Sequence, residues 1–313
     1  MLSFLLRRIV ATIPVLVVVA LIVFLMTRLA PGDPAANIVG DNASAENLQK
    51  VRETLGLNDA LPTQFARWSW KVVQGNLGES FFMKKPVTEL IGQRIEPTVS
   101  LAGVTLVLTI LIAVPLGVIA AWRHGGWLDR GLMGFSALGF SIPAFVIGYV
   151  LIWIFALKLQ WLPVQGYNRI GDGVGPWLRN LILPAITLSI IYVALIARVT
   201  RAAVAEAMTE DYVRTARAKG ISEARVLIKH GLANAAVPIV TVIGIGIALL
   251  IGGVVVTESV FAIPGLGQLT VDAVLSRDFP LIQGITLFFS VIYVAVNLLV
   301  DISYLVFDPR IRY

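Results

Sequence analysis

EAMTEDYVRTARAKGISEARVLIKHGLANAAVP, from Glu206 to Pro238, is a long charged insert between two apolar segments, Leu181 to Ala197 and Ala235 to Thr257, that carry no charge at all. Arg214, Arg217, Lys219, Arg225 and Lys229, with Arg198 and Arg201 just ahead of them, outnumber Glu206, Glu210, Asp211 and Glu223. A basic excess beside apolar spans marks the cytoplasmic side of a membrane protein. The insert is therefore where a membrane protein could meet a soluble partner.

Outside this stretch the chain is apolar. Of its 313 residues 57% are hydrophobic and 14% charged, and the mean hydropathy is +0.84, more apolar surface than one soluble core would bury. Six segments approach the roughly 20 residues that a helix needs to cross a bilayer. They are Ile9 to Leu29, Thr98 to Trp122, Gly131 to Leu157, Leu181 to Ala197, Ala235 to Thr257 and Leu281 to Val300, and the last five hold no Asp, Glu, Lys, Arg or His. The expected fold is an all-α polytopic membrane protein with six transmembrane helices. The opening MLSFLLRRIV is like a signal peptide, but its apolar run is long enough to span and no small-x-small cleavage site follows, so it is expected to be a retained first span. With Arg7 and Arg8 inside, six spans return Arg310 and Arg312 to the same side, and the short Arg123 to Arg130 turn also falls there.

The net charge of +6 is explained by this loop asymmetry; no basic run interleaved with aromatics suggests nucleic acid. There is no Cys, and neither His124 nor His230 has a partner at a metal-ligand spacing. Residues 30–97 carry seven Lys or Arg against eight Asp or Glu and give no orientation signal. They are expected to form a small external subdomain, either a cap on the membrane core or a binding module. Leu48, Val51 and Leu55 share one helical face there, before Gly56, and Phe65, Trp68 and Val72 another, before Gly75. Pro14, Pro115 and Pro143 fall inside spans and predict kinks. Gly244, Ala248 and Gly252 recur every four residues as a flat packing stripe, serving helix packing or substrate contact.

Within the insert, Thr209 is placed to cap a short helix, Glu210 to pair with Arg214 at i, i+4, Gly220 to stop the helix in the left-handed region, and Ser222 to cap a second one. A first helix of about ten residues is too short to stand alone in water and needs something to dock into. Tyr212, Val213 and Ala216 offer an apolar face flanked by Arg214, Arg217 and Lys219. Such a helix suits an acidic groove; residue chemistry alone equally allows a solvated loop facing lipid headgroups.

The pattern Glu206, Ala207, Met208, then Gly220, then Val237 and Pro238 resembles the EAA loop of ABC importer permease subunits, with Met for the third-position Ala and Val-Pro for Leu-Pro. The wider series PGDP (Pro31 to Pro34), LGLNDALPTQF (Leu55 to Phe65), GNLGESF (Gly75 to Phe81), SIPAF (Ser141 to Phe145), DYVRTARAKG (Asp211 to Gly220), TESVFAIPGLG (Thr257 to Gly267) and DPRIR (Asp308 to Arg312) covers nearly the whole chain. It is similar to the B-type permease of dipeptide, oligopeptide, glutathione and nickel importers.

That resemblance implies a type I importer permease architecture. Residues 1–29 would form the tail and first helix, 30–97 the external subdomain, 98–302 the permease core with its loop at about 198–234, and 303–313 a cytoplasmic tail. It implies a coupling role, against an ATPase subunit, for Glu206, Ala207, Asp211, Tyr212, Arg214, Thr215, Arg217, Ala218 and Gly220. It implies as partners a homologous second permease, two ATP-binding cassette ATPases and an external solute-binding protein, besides membrane lipids, in a bacterial or archaeal inner membrane with both termini cytoplasmic. No cofactor is expected in this chain: the absence of any Gly-Lys dipeptide excludes a phosphate-cradling G-x-x-x-x-G-K-[ST] loop, so ATP and magnesium would be held by the ATPases. No catalytic or metal-binding residue is expected, and polar span residues such as Thr187, Ser189, Tyr192 and Asn297 serve equally for helix packing or a substrate pathway. The alternative, an ion-coupled secondary transporter, would place ionisable groups at mid-membrane, and five of the segments have none. Glu258 to Pro280 is read as an external loop near the gate.

Overall fold

A computed structural model describes residues 2–29 and 57–307, with four isolated positions, Glu46, Gln49, Arg52 and Glu53. The expected face of Leu48, Val51 and Leu55, the PGDP segment and the DPRIR tail lie outside the described residues. The described residues are helical and contain no β-strand beyond an isolated bridge between Glu79 and Pro86. They divide into two compact units, one of Glu96–Gln268 with the chain from Ala295 onward, the other of Leu2–Ile95 with Leu269–Val294.

Among the described residues five helices are long and apolar enough to cross a membrane. They are α1 (Leu2–Leu29, apolar over Arg7–Met26), α3 (Val87–Trp122), α6 (Val174–Ala207), α8 (Ala236–Val260) and α10 (Phe279–Phe307). Between α1 and α3 lies the amphipathic α2 (Leu61–Val73). The expected third span is broken: α4 (Trp127–Ser141) and α5 (Ala144–Leu151, continued by a π-helical stretch Ile152–Lys158) meet at 102°. The cause is local. Proline disfavours helical backbone in the residue before it, and Ile142, before Pro143, is extended at φ −102°, ψ 122°. Pro14 and Pro115 stay inside continuous helices, as do Pro97 and Pro184.

In the first unit α6 is the central helix. Leu181, Leu183, Leu188 and Ile196 are almost fully buried, among Leu101 and Ala113 of α3, Val242 and Val254 of α8, and Phe261. Within a bilayer this burial exchanges lipid contacts for helix contacts, so what holds α6 in place is close van der Waals packing and not removal of apolar surface from water. The glycine stripe of α8 is used only in part. A side chain at Gly244 would strike Val300, but Gly252 faces open space; Gly246 and Gly253 instead let α8 approach Tyr192. In the second unit Phe24 of α1 is buried against Phe65 and Trp68 of α2, with ring centroids 5.4 and 5.7 Å apart.

Candidate functional site

The charged insert folds back on its own chain. α6 runs to Ala207, well past the predicted end of its span, and Thr209 then donates from Oγ1 to the Glu206 carbonyl (2.7 Å), closing the end of α6. It does not cap the next helix, as the sequence suggested: that helix, α7 (Asp211–Ala218), starts from Glu210 in extended geometry with no side-chain cap. α7 stops in the way that glycine allows. Gly220 has φ +74°, its N–H reaches the Arg217 carbonyl (2.9 Å), and the Ile221 N–H reaches Ala216 (3.3 Å), a Schellman closure with Ile221 packed near Ala216. Ser222 occupies the next N-cap position without a side-chain bond, and a single turn, Glu223–Arg225, passes into a π-helical stretch, Val226–Leu232.

An eight-residue helix is marginal on its own; what holds this one is its own chain. Val213 and Ala216 are buried with Val226, against Met208 and Ile221. The apolar face read as available to a partner is therefore mostly consumed inside the protein, and only Tyr212 of that trio stays exposed, its hydroxyl donating to the Ala207 carbonyl (3.3 Å). Burial, then the neighbouring charge of Glu210, raises the Tyr212 pKa above the ordinary phenol value. Met208, the third motif position, finds its space at Gly231, where a Cβ would lie 2.9 Å from the Met208 sulfur. Beneath it Val204, Leu227 and Ile239 pack with Val118 and Ala121 of α3, so the loop rests on three spans.

Of the predicted coupling residues, Glu206, Asp211, Tyr212, Arg214, Thr215, Arg217, Ala218 and Gly220 are exposed, and Ala207 is buried. Arg214 pairs with Asp211 (3.3 Å) rather than with Glu210, and Arg217 pairs with Glu223 through two bonds (2.8 and 3.2 Å) that raise its pKa further. Exposed pairs of this kind contribute about 0–1 kcal/mol, so both guanidinium groups can exchange partners cheaply.

Two polar constellations, each built on a buried carboxylate, escaped the sequence reading. Arg201, on α6, makes a fork with Asp129 in the first turn of α4, Nε to Oδ1 at 2.8 Å and Nη2 to Oδ2 at 2.7 Å, with His124 Nε2 3.3 Å from Nη2. The Gly125 N–H adds to Asp129 Oδ2 (2.9 Å). Glu258, expected in an external loop, lies inside α8 and is fully buried. It accepts from Thr98 Oγ1 (2.6 Å) and from the Gln268 N–H (3.0 Å), while the Thr98 hydroxyl accepts from the Leu266 N–H (2.8 Å). Glu258 thus holds the first turn of α9 (Leu266–Leu275). The five apolar segments themselves hold no charge, but the helices run on beyond them and take in Glu258, Arg198 and Arg201. No local signal marked either constellation, since the partners are 72 and 160 residues apart in sequence.

Residues 113–313 match the family "Binding-protein-dependent transport system inner membrane component", and residues 1–102 match its N-terminal companion. The chain belongs to this family of transport permeases. It is 53% identical, over 99% of both chains, to a probable peptide ABC transporter permease protein of Sinorhizobium fredii. It is 43% identical, over the whole of both, to a putative peptide transport system permease protein of Brucella abortus, and 42% identical, again over the whole of both, to a glutathione transport system permease protein of Pectobacterium atrosepticum. Among solved structures, the inward-facing MetNI methionine ABC transporter superposes with a TM-score of 0.58 over 70% of this chain and 96% of that one, at 18% identity. The fold is that of an ABC importer permease, and the protein is a multi-pass inner-membrane component that works with other ABC proteins. These relationships favour the importer reading over an ion-coupled carrier.

Proposed function

We propose that this chain forms half of the translocation pathway of a peptide importer and takes its movement from separate ATPase subunits through the loop at 198–234. Its partners are a homologous second permease, two ATPases that bind ATP and magnesium, and an external solute-binding protein; it has no ATPase site of its own. The loop and both termini face the cytoplasm, and the segment 30–97 faces outward. The names of the relatives, peptide and glutathione permeases over full length, support the substrate class.

The observation that carries the coupling proposal is the orientation of α7. Val213 and Ala216 fasten it to Val226, which leaves Asp211, Tyr212, Arg214, Thr215, Arg217 and Ala218 presented outward as a basic ridge. Met208 and the stretch Val226–Leu227 link α7 to the layer that packs on α3, α6 and α8, so a partner that pushes α7 shifts the packing of these spans between two states.

The test is reconstitution of the complete importer in proteoliposomes. The double variant R214E/R217E should keep the expression level and melting temperature of the wild type while losing ATPase stimulation by loaded binding protein and uptake of labelled dipeptide or glutathione. Unchanged stimulation would remove α7 from the coupling path. Accumulation of solute by this chain alone, driven by an ion gradient, would overturn the importer reading altogether.

A further inference from the structure

The second unit contains a cavity of about 420 Å³, within the range of small-molecule sites (about 300–1,000 Å³), that the transport reading does not use. One face of α2 lines it: Gln64, Arg67, Trp68 and Lys71 follow each other at i, i+3, i+4 and i+7. Arg28 enters from the end of α1 and Lys84 from the turn before α3, and Glu79 is the one carboxylate among the described lining residues. Arg67 shares its charge with Asp59 (2.9 Å), outside the lining. The described lining is cationic, and Trp68, Leu77, Phe81 and Phe279 make up its apolar part.

Two atoms say what is wanted there. The buried Nε of Arg28 has no hydrogen-bond acceptor among the described residues, so a donor is waiting for an anion. Burial lowers the pKa of Arg28, which lies beyond the apolar part of α1; a bound anion would reverse that effect. The Oε1 of Gln64, a residue only 7% exposed, has no donor. Its orientation is fixed, because Nε2 donates to two backbone carbonyls, Leu57 (3.1 Å) and Asp59 (2.8 Å). The fitting ligand therefore carries both an anionic oxygen and a hydrogen-bond donor.

The place in the fold selects the source. Arg28 stands two residues past Met26, where the apolar part of α1 ends, and Phe279 opens the apolar part of α10. Both helices then expose apolar side chains along their length, among them Val18, Ile22 and Met26 of α1 and Val291 of α10. An acyl chain can lie on such a surface while its headgroup occupies a basic pocket at the rim. We propose that this cavity binds the headgroup of an anionic, hydroxyl-bearing phospholipid of the phosphatidylglycerol type, with the phosphodiester against Arg28, Arg67 and Lys71 and a headgroup hydroxyl donating to Gln64 Oε1. A zwitterionic headgroup fits less well, since its ammonium would sit among the lysines.

The experiment is native mass spectrometry of the full-length chain within its purified importer, with phosphatidylglycerol, phosphatidylethanolamine or phosphatidylcholine added to the micelle. Phosphatidylglycerol should stay bound where the other two dissociate. Arg67 and Lys71 are exposed, so R67Q/K71Q should fold normally and reduce the phosphatidylglycerol adduct about tenfold or more. R28Q should reduce it as well, and R169Q, remote from the cavity in sequence and equally a lost charge, should not. Equal retention of the three lipids, or an adduct insensitive to R67Q/K71Q, would overturn the proposal. So would displacement by glycerol 3-phosphate with no lipid retained, which would assign the site to a soluble phosphate, or a loss of solute-binding-protein affinity in R67Q/K71Q with lipid retention intact. None of these readouts involves transport, so their failure leaves the importer reading standing.

Discussion

Arg201 and Asp129, 72 residues apart in sequence, are joined by two hydrogen bonds, one to each carboxylate oxygen, at 2.8 and 2.7 Å, and Asp129 is only 4% exposed. The pair ties α6, five residues before the motif glutamate Glu206, to the first turn of α4, so the loop and the broken span are mechanically connected. The Arg201 side chain is 21% exposed and that of Asp129 5%, so removing Arg201 strands a buried charge, at up to about 3–5 kcal/mol, and removing Asp129 leaves a partly solvated one and costs less. Arg201→Leu and Asp129→Leu should each lower the melting temperature in detergent by several degrees, and the double variant should be less destabilised than the two effects added. Additivity within about 0.5 kcal/mol would show that the two side chains do not interact.

Gly220 tests the loop itself. Its φ of +74° costs other L-residues about 1–2 kcal/mol, with Asn the best tolerated. A Cβ at this position would meet no atom within 4 Å, so the penalty is conformational and not steric crowding. Gly220→Asn should retain most of the ATPase stimulation by loaded binding protein, and Gly220→Val should lose most of it. Equal activity of the two variants would mean that the Schellman closure does not govern coupling.

These two cases show what the sequence could and could not convey. The spans were legible because about 20 apolar residues is a bilayer requirement, and the Gly220 stop because only glycine is at ease there. The break at Pro143 was legible as a kink, but its size depends on how Ile142 and the neighbouring helices settle. The inward turn of Val213 and Ala216 was not legible: an eight-residue helix with one apolar face fits its own chain or a partner equally well by composition. Asp129 and Glu258 were misread for another reason. Charges look like span boundaries in a sequence, whereas here Arg201 and Thr98 bring them into the packed helices.

Gly265 sits where a Cβ would collide with the carboxylate of Glu258. That carboxylate is fully buried and holds the first turn of α9, so it cannot retreat without losing the Thr98 and Gln268 bonds. Overpacking of this kind costs about 1–3 kcal/mol. Gly265→Ala should therefore lower the melting temperature clearly, whereas Gly103→Ala, which meets open space inside a helix, should leave it unchanged or raise it slightly. Similar melting temperatures for the two variants would argue that Glu258 is not fixed in place.

Asp278 closes the second unit in the same manner. Its carboxylate accepts from the Ser80 hydroxyl, from the N–H groups of Phe81 (3.2 Å) and Phe82 (3.3 Å), and from the Leu281 N–H (3.4 Å) in the first turn of α10. One side chain therefore both caps a span and clamps the turn that precedes α3. Asp278→Ala removes four bonds at once and leaves the buried Ser80 hydroxyl and Leu281 N–H without this acceptor, at about 1–3 kcal/mol each, whereas Ser80→Ala removes two, its own to Asp278 and the one it accepts from the Met83 N–H. The exposed Lys84 in this turn makes the difference measurable, since the bond after it is open to trypsin while the one after Lys85 is protected by Pro86. Trypsin should cleave there much faster in Asp278→Ala than in the wild type, with Ser80→Ala in between, and equal cleavage rates would show that the clamp is not what orders the turn.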